Sequence, residues 1–126
     1  YKKYSLVYGY QIPVGTAIDG GFQIIHTGHV IINPLAHIGK NCTVFPGVTI
    51  GQDRSGYSPE IGNRVFIGTN SILVGRIKLG NNILIAPGSF VNFDVPDNSL
   101  VIGNPGKIYL KDEKIINGYL NNLVED

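Results

Sequence analysis

The chain repeats its aliphatic residues with a step of six. Ile12, Ile18 and Ile24 open the series, Ile32, Ile38, Val44 and Ile50 continue it, and Ile61, Ile67, Leu73, Leu79, Ile85 and Val91 close it. The segments IGKNCT, IGNRVF, IGTNSI and LGNNIL show the unit: an aliphatic residue, Gly or a small residue with polar neighbours, then a small or branched residue and one more. Six residues fit no single helical face, because 3.6 residues per turn does not divide six, but they match one short strand plus its corner. Three such strands predict one triangular turn of a solenoid. The aliphatic residue points inward, and the residue four positions later (Ala36, Cys42, Val48, Val65, Ser71 and Ser89) completes the packing. Stacked turns pair as parallel strands about 4.8 Å apart, and Gly or Asn takes the corner conformations.

The register breaks twice. Ile24 to Ile32 is a step of eight, with two extra residues around the segment HTGH; Ile50 to Ile61 is a step of eleven, with five extra within GQDRSGYSPE. A solenoid carries insertions on its outside, so these are the places where function is expected. Assigning strands to three faces in rotation stacks Ile24, Val44, Ile67 and Ile85, and two residues further on it lines up His26, Pro46, Thr69 and Pro87 along a corner. Before the repeats, residues 1–11 are expected to form a lead-in or cap, and residues 12–107 the solenoid domain. In 108–126, Leu110, Ile115, Ile116, Tyr119, Leu120 and Leu123 recur at near-helical spacing and predict a short C-terminal cap helix, weakened by Gly118.

Composition agrees with many short strands: 17 Gly and 7 Pro in 126 residues, with neither Trp nor Met. Length makes the chain one domain. With a net charge of +1 and no basic cluster longer than Lys2-Lys3, nucleic acid is not an expected partner, nor is membrane insertion. Cys42, the single cysteine, excludes an intramolecular disulfide and fits a reducing, cytoplasmic setting. The missing initiator Met implies a segment upstream of Tyr1.

The hexapeptide unit resembles that of the left-handed parallel β-helix acyltransferases. The resemblance runs from about Ile12 to Lys107 and points to the serine O-acetyltransferase-like branch through GFQIIHTGHVIINPLAHIGKNCTVFPGVTIG and the terminal VIGNPGKI. It implies an all-β, left-handed solenoid, a homotrimer, and acetyl-CoA as co-substrate with no metal required. In that branch a His of the H-x-x-G segment is the general base, and the resemblance places His26, which opens HTGH here, at that position. A neutral imidazole is well suited to take a hydroxyl proton near neutrality. Thr69 and Pro87 would lie along the pantetheine arm of the coenzyme, and Lys107 would approach its phosphates. From His26 to Pro87 is three coils, roughly 14 Å at strand spacing. His29 is expected to bond the loop or line the acceptor site, and His37 to be a solvated or subunit-interface residue. A three-His metal site lacks supporting carboxylate or Cys neighbours.

The chain departs from the branch where serine is held. An acid that partners the catalytic His is replaced by Gln11, and an Arg-His pair in the second break is replaced by Tyr57 and Ser58. Gln11 can orient an imidazole but cannot stabilise imidazolium as a carboxylate does. Losing the carboxylate-gripping Arg removes a charge-assisted contact. Asp19, Asp53 or an acid from a neighbouring subunit are the candidate replacements. Gln11, His29 and Tyr57 are the expected acceptor-side residues, and the pattern resembles glycan O-acetyltransferases of polysaccharide biosynthesis. The expected function is therefore acetyl transfer to a sugar hydroxyl, with serine as the alternative acceptor. A non-catalytic structural subunit and a zinc hydratase on the same coil are the other readings.

Overall fold

The computed structural model describes residues 10–11, 17–25 and 28–110, and every regular element among them is a strand. The strands fall on three faces in strict rotation. The first face holds β1 (Tyr10–Gln11), β4 (Val30–Ile32), β7 (Thr49–Gly51), β10 (Ile72–Val74) and β13 (Phe90–Val91). The second holds β2 (Ala17–Ile18), β5 (His37–Ile38), β8 (Glu60–Ile61) and β11 (Lys78–Leu79), extended by a parallel bridge from Leu79 to Val95. The third holds β3 (Gln23–Ile24), β6 (Thr43–Val44), β9 (Val65–Ile67), β12 (Ile83–Ile85), β14 (Ser99–Ile102) and β15 (Lys107–Leu110). All pairings are parallel except the last, so the chain is the parallel β-solenoid that its period predicts.

The six-residue step builds the core. From Ile32 to Val91 every aliphatic residue of the series is at most 1% exposed, and Ala36, Cys42, Val48, Val65, Ser71 and Ser89 are buried beside them. The buried hydroxyls keep partners, as the cost of an unpaired polar group demands: Ser71 Oγ donates to Ala86 O at 3.1 Å, Ser89 Oγ to the same carbonyl at 2.6 Å, and Ser99 Oγ to Pro96 O at 2.7 Å. A smaller apolar cluster lies on the other side of the third face, where Phe66 and Leu84 pack with Phe45 and Leu100. The Phe45 and Phe66 rings meet at 4.9 Å and 52°.

The corner between the second and third faces is held by a ladder of amide and carboxylate side chains. Asn63 Oδ1 accepts from Lys40 N–H at 2.8 Å, Asn81 Oδ1 from Asn63 N–H at 2.7 Å, and Asp97 Oδ1 from Asn81 N–H at 2.7 Å. The next residue in each turn takes positive φ: Asn41, Arg64, Asn82 and Asn98 lie at 57–58°. Three of these four are Asn, among the few non-glycine residues that visit this region readily.

Two expectations change at the ends. Tyr10–Gln11, assigned to the lead-in, pair in register with Val30 and Ile31 and so belong to the coil. The C-terminal helix is not shown. Its first positions, Ile108 to Leu110, are strand, because the turn after Ile102 reverses the chain and Lys107–Leu110 pair antiparallel with β14. Alternation of Lys107, Ile108, Tyr109 and Leu110 suits a strand as well as a helix start. Residues 111–126, with the remainder of the expected helix, lie outside the described residues.

Two consequences can be measured. A Cβ on Gly62 would stand 2.4 Å from Gly80 O, a backbone atom, whereas one on Gly20 meets nothing within 4 Å. Gly62→Ala should therefore lose about 1–3 kcal/mol in urea unfolding while Gly20→Ala loses nothing. Burial pushes the Cys42 thiol above its ordinary 9.0, partly offset by hydrogen bonding to the Val65 and Arg64 backbone, with the Asp19 charge adding to the rise. The unfolded chain then releases this proton at lower pH than the folded one. The contribution is intact below pH 9.0 and declines above it. Cys42→Ala, which copies Ala36 one repeat earlier, should flatten that decline in melting temperature against pH.

Candidate functional site

The predicted corner column exists. Ile24 pairs with Val44, Val44 with Ile67, Ile67 with Ile85 and Ile85 with Val101. Two residues beyond each lie Pro46, Thr69, Pro87 and Gly103, on the edge between the third and first faces. His26, the first member expected here, and Thr27 lie outside the described residues, as does Ile12. The edge is knit coil to coil. Thr69 Oγ1–H and Asn70 N–H (3.1 Å) donate to Pro46 O, Gly88 N–H donates to Thr69 O at 2.8 Å, and Phe90 N–H to Gly103 O at 2.9 Å. Gly28, just after His26, takes φ 155°, and a Cβ there would come within 2.6 Å of Pro46 Cβ. Glycine is thus required for the first break to rejoin the column.

The coenzyme candidates fall on this edge. Thr69 is half-buried and Pro87 exposed. Lys107 is exposed and stands opposite Ile102, the residue before Gly103, at the foot of the same edge. From Pro46 to Lys107 is four strand spacings, roughly 19 Å. His29 is exposed at the head, with its carbonyl accepting from Gly47 N–H at 2.5 Å. The backbone of Gln11 pairs with Ile31 on the first face.

The chain's own candidate replacement acids are engaged elsewhere. Asp19 Oδ2 lies 3.6 Å from His37 Nε2, beyond the second face and not on the edge of the column. Both belong to a shallow groove of about 270 Å³ where His37, Glu60 and Lys78 stack in register. Asp53 Oδ1 accepts from Ser55 N–H at 2.9 Å and from Tyr57 N–H at 3.0 Å, folding the second break on itself. Among the described residues no group of three His, Cys, Asp or Glu side chains could hold a metal ion, and no helix is long and apolar enough to cross a membrane.

The second break leaves the opposite edge of the first face, after β7. Every described side-chain contact it makes with the rest of the chain is on that edge. Ser58 Oγ donates to Asn33 Oδ1 at 2.8 Å, Asn33 Nδ2 donates to Gln52 Oε1 at 3.4 Å, and the Arg76 guanidinium lies 4.9 Å from the centroid of the Tyr57 ring. Tyr57 is therefore not gathered with Thr69, Pro87 and Lys107 in one chain. Sequence reasoning overlooked Asn33 and Arg76. Arg76 is an ordinary corner residue in the six-residue pattern, and only its spatial place beside the inserted loop distinguishes it.

Comparison with known proteins follows this geometry. Residues 58–92 match the family described as bacterial transferase hexapeptide (six repeats). The chain is 37% identical over 116 residues to a serine acetyltransferase of Bacillus pumilus, covering 90% of this chain and 54% of the relative. It is 34% identical to serine acetyltransferase 4 of Arabidopsis thaliana, covering 85% of this chain and 31% of that one. Among solved structures, serine acetyltransferase of Neisseria gonorrhoeae superposes with a TM-score of 0.78 at 32% identity, covering 87% of this chain and 44% of that one. The same enzyme in complex with serine gives 0.68 at 34% identity, covering 74% and 39%. The chain thus spans about half the length, or less, of the curated relatives it matches. The expected nearness to glycan O-acetyltransferases gains no support from these relatives.

The Asp53 turn can be tested directly. Asp53→Ala removes the acceptor of two backbone donors, so hydrogen exchange at the Ser55 and Tyr57 amides should rise at least ten-fold, while the amides of Ile67 and Ile85 exchange as before.

Proposed function

We propose that this chain is the solenoid domain of an acetyl-CoA-dependent O-acetyltransferase whose acceptor is a serine-like hydroxy amino acid. The observation that carries this is the unbroken edge Pro46–Thr69–Pro87–Gly103 running from the first break to Lys107, on a coil that superposes on serine acetyltransferases. An extended thioester arm needs such a slim, continuous edge, and the Lys107 ammonium at its foot suits the phosphates of a coenzyme. Space beside Gly88 is open, since a Cβ there would meet no atom within 4 Å.

In this reading the His26 imidazole accepts the proton of the acceptor hydroxyl as its oxygen attacks the thioester carbonyl. The tetrahedral intermediate collapses by breaking the C–S bond, and the proton passes from His26 to the departing thiolate. Ester and free CoA thiol are the products, so atoms balance without a metal or an external acid. Asp19 and Asp53 have partners at His37 and within the loop, so neither is the proposed orienting group of His26. Gln11 remains the proposed orienting group. His29 and Tyr57 remain acceptor-side proposals, and a homotrimer is the proposed assembly.

A second reading, transfer to an uncharged sugar hydroxyl, rests on Tyr57 and Ser58 standing where an Arg-His pair is expected. Thiol release from acetyl-CoA against serine and a sugar panel separates the two. Turnover of sugars alone would replace the serine reading, and an absence of both turnover and acetyl-CoA binding would leave a structural coil. With an active acceptor in hand, His26→Ala should lower kcat at least 10²-fold while the melting temperature and CoA affinity hold. Retained turnover would remove His26 from the mechanism.

A further inference from the structure

The Arg76 guanidinium is held in place without being neutralised. It lies over the Tyr57 ring, Cζ to centroid 4.9 Å, and no carboxylate of the described residues pairs with it. The ring beneath it is well anchored. Tyr57 N–H donates to Asp53 Oδ1, Tyr57 O accepts from Asp53 N–H at 2.9 Å, and Ser58 Oγ–H ties the next residue to Asn33. The loop rests directly on the Arg76 corner: a Cβ on Gly75 would stand 3.4 Å from Asp53 Oδ2. The Ser55 and Tyr57 amides both bond the other oxygen of that carboxylate, Oδ1, and no ion pair joins it to Arg76.

Stacking on an aromatic face uses the flat side of a guanidinium and leaves its in-plane N–H donors free. Those donors have the fork spacing that a carboxylate accepts bidentately. Arg76 is exposed, and Arg54, in the loop, is exposed too, so two cations stand here against the one carboxylate of Asp53. The corner beneath the inserted loop thus holds a cation with no carboxylate partner among the described residues, against the ring of Tyr57, the position where the sequence lacks an expected Arg.

We infer that Arg76, seated on Tyr57, grips the carboxylate of the acceptor and makes the enzyme prefer an amino acid to a neutral alcohol. This rests on the reading of the chain as an O-acetyltransferase. The cation comes from the neighbouring coil, and Tyr57 serves as its platform. The acceptor class is a hydroxy acid, whose anionic end pairs with Arg76 while its hydroxyl reaches the base.

The experiment compares serine with serinol, which keeps the hydroxyl and amine but replaces the carboxylate by a second alcohol, in thiol release by the full-length protein. The wild type should favour serine by at least ten-fold in kcat/KM. Arg76→Gln should collapse that ratio towards one through the KM for serine, with the KM for acetyl-CoA unmoved. Tyr57→Phe, which keeps the ring, should retain the preference that Tyr57→Ala loses. Two outcomes overturn the assignment while acetyl transfer stands: equal use of serine and serinol by the wild type, or a serine preference that survives Arg76→Gln. No thiol release with serine, serinol or any sugar sinks the transferase reading itself.

Discussion

In-register parallel stacking is the constraint on which the rest of the molecule depends. The strands of each coil satisfy their backbone donors and acceptors on the coils above and below, so these strands, two to four residues long, have no stability of their own. Register is then decided by what stands inside. Shifting a strand by one residue would turn Val65 and Ile67 out and Phe66 in, exchanging a column of residues at most 1% exposed for a ring too large for it. Side chains lock the same register at the corners, where each Asn or Asp of the ladder accepts from the backbone of the coil before it.

That constraint also dictates where chemistry can be added. A residue inserted within a strand would displace every later coil, whereas one inserted at a corner leaves the ladder intact. Ile24 pairs with Val44 across the first break and Ile38 with Ile61 across the second, as if nothing intervened. The eight residues outside the strands at 52–59 then make their own order: Asp53 folds the loop, Ser58 and Gln52 fasten it to Asn33, and Tyr57 meets Arg76. Free of the stacking requirement, this loop is where exposed aromatic and cationic groups can be held without cost to the core.

Legibility in the sequence follows the same division. The period of six was readable because each coil imposes the identical inward position, and it located the column of Pro46, Thr69 and Pro87 by arithmetic alone. Contacts between loops were not readable, since Arg76 and Tyr57 are 19 positions apart and no periodicity relates an insertion to the corner beneath it. For the same reason Asp19 was a reasonable substitute acid on paper, yet the rotation of faces carries it to His37. The end of the coil misled differently. Lys107 to Leu110 satisfy both a helical and an alternating pattern, and the reversal after Ile102 decides for a strand against β14.

The two breaks open on opposite edges of one face, and this bears on how a site can be assembled. The first rejoins the coil at β4 and the second leaves it after β7, so they flank a face three residues wide, roughly 10 Å at the rise of a strand. The described contacts of the second loop, to Asn33, Gly75 and Arg76, keep it on its own edge. A base at the first break and a carboxylate grip at Arg76 therefore come together most directly when the loop of one solenoid lies along the corner edge of another. Under the homotrimer proposed above, coenzyme track and acceptor grip would belong to different chains. In such a site the covalent chemistry belongs to the edge of the coil, where stacking makes position exact, and the choice of acceptor belongs to the loop, where stacking leaves the sequence free to change.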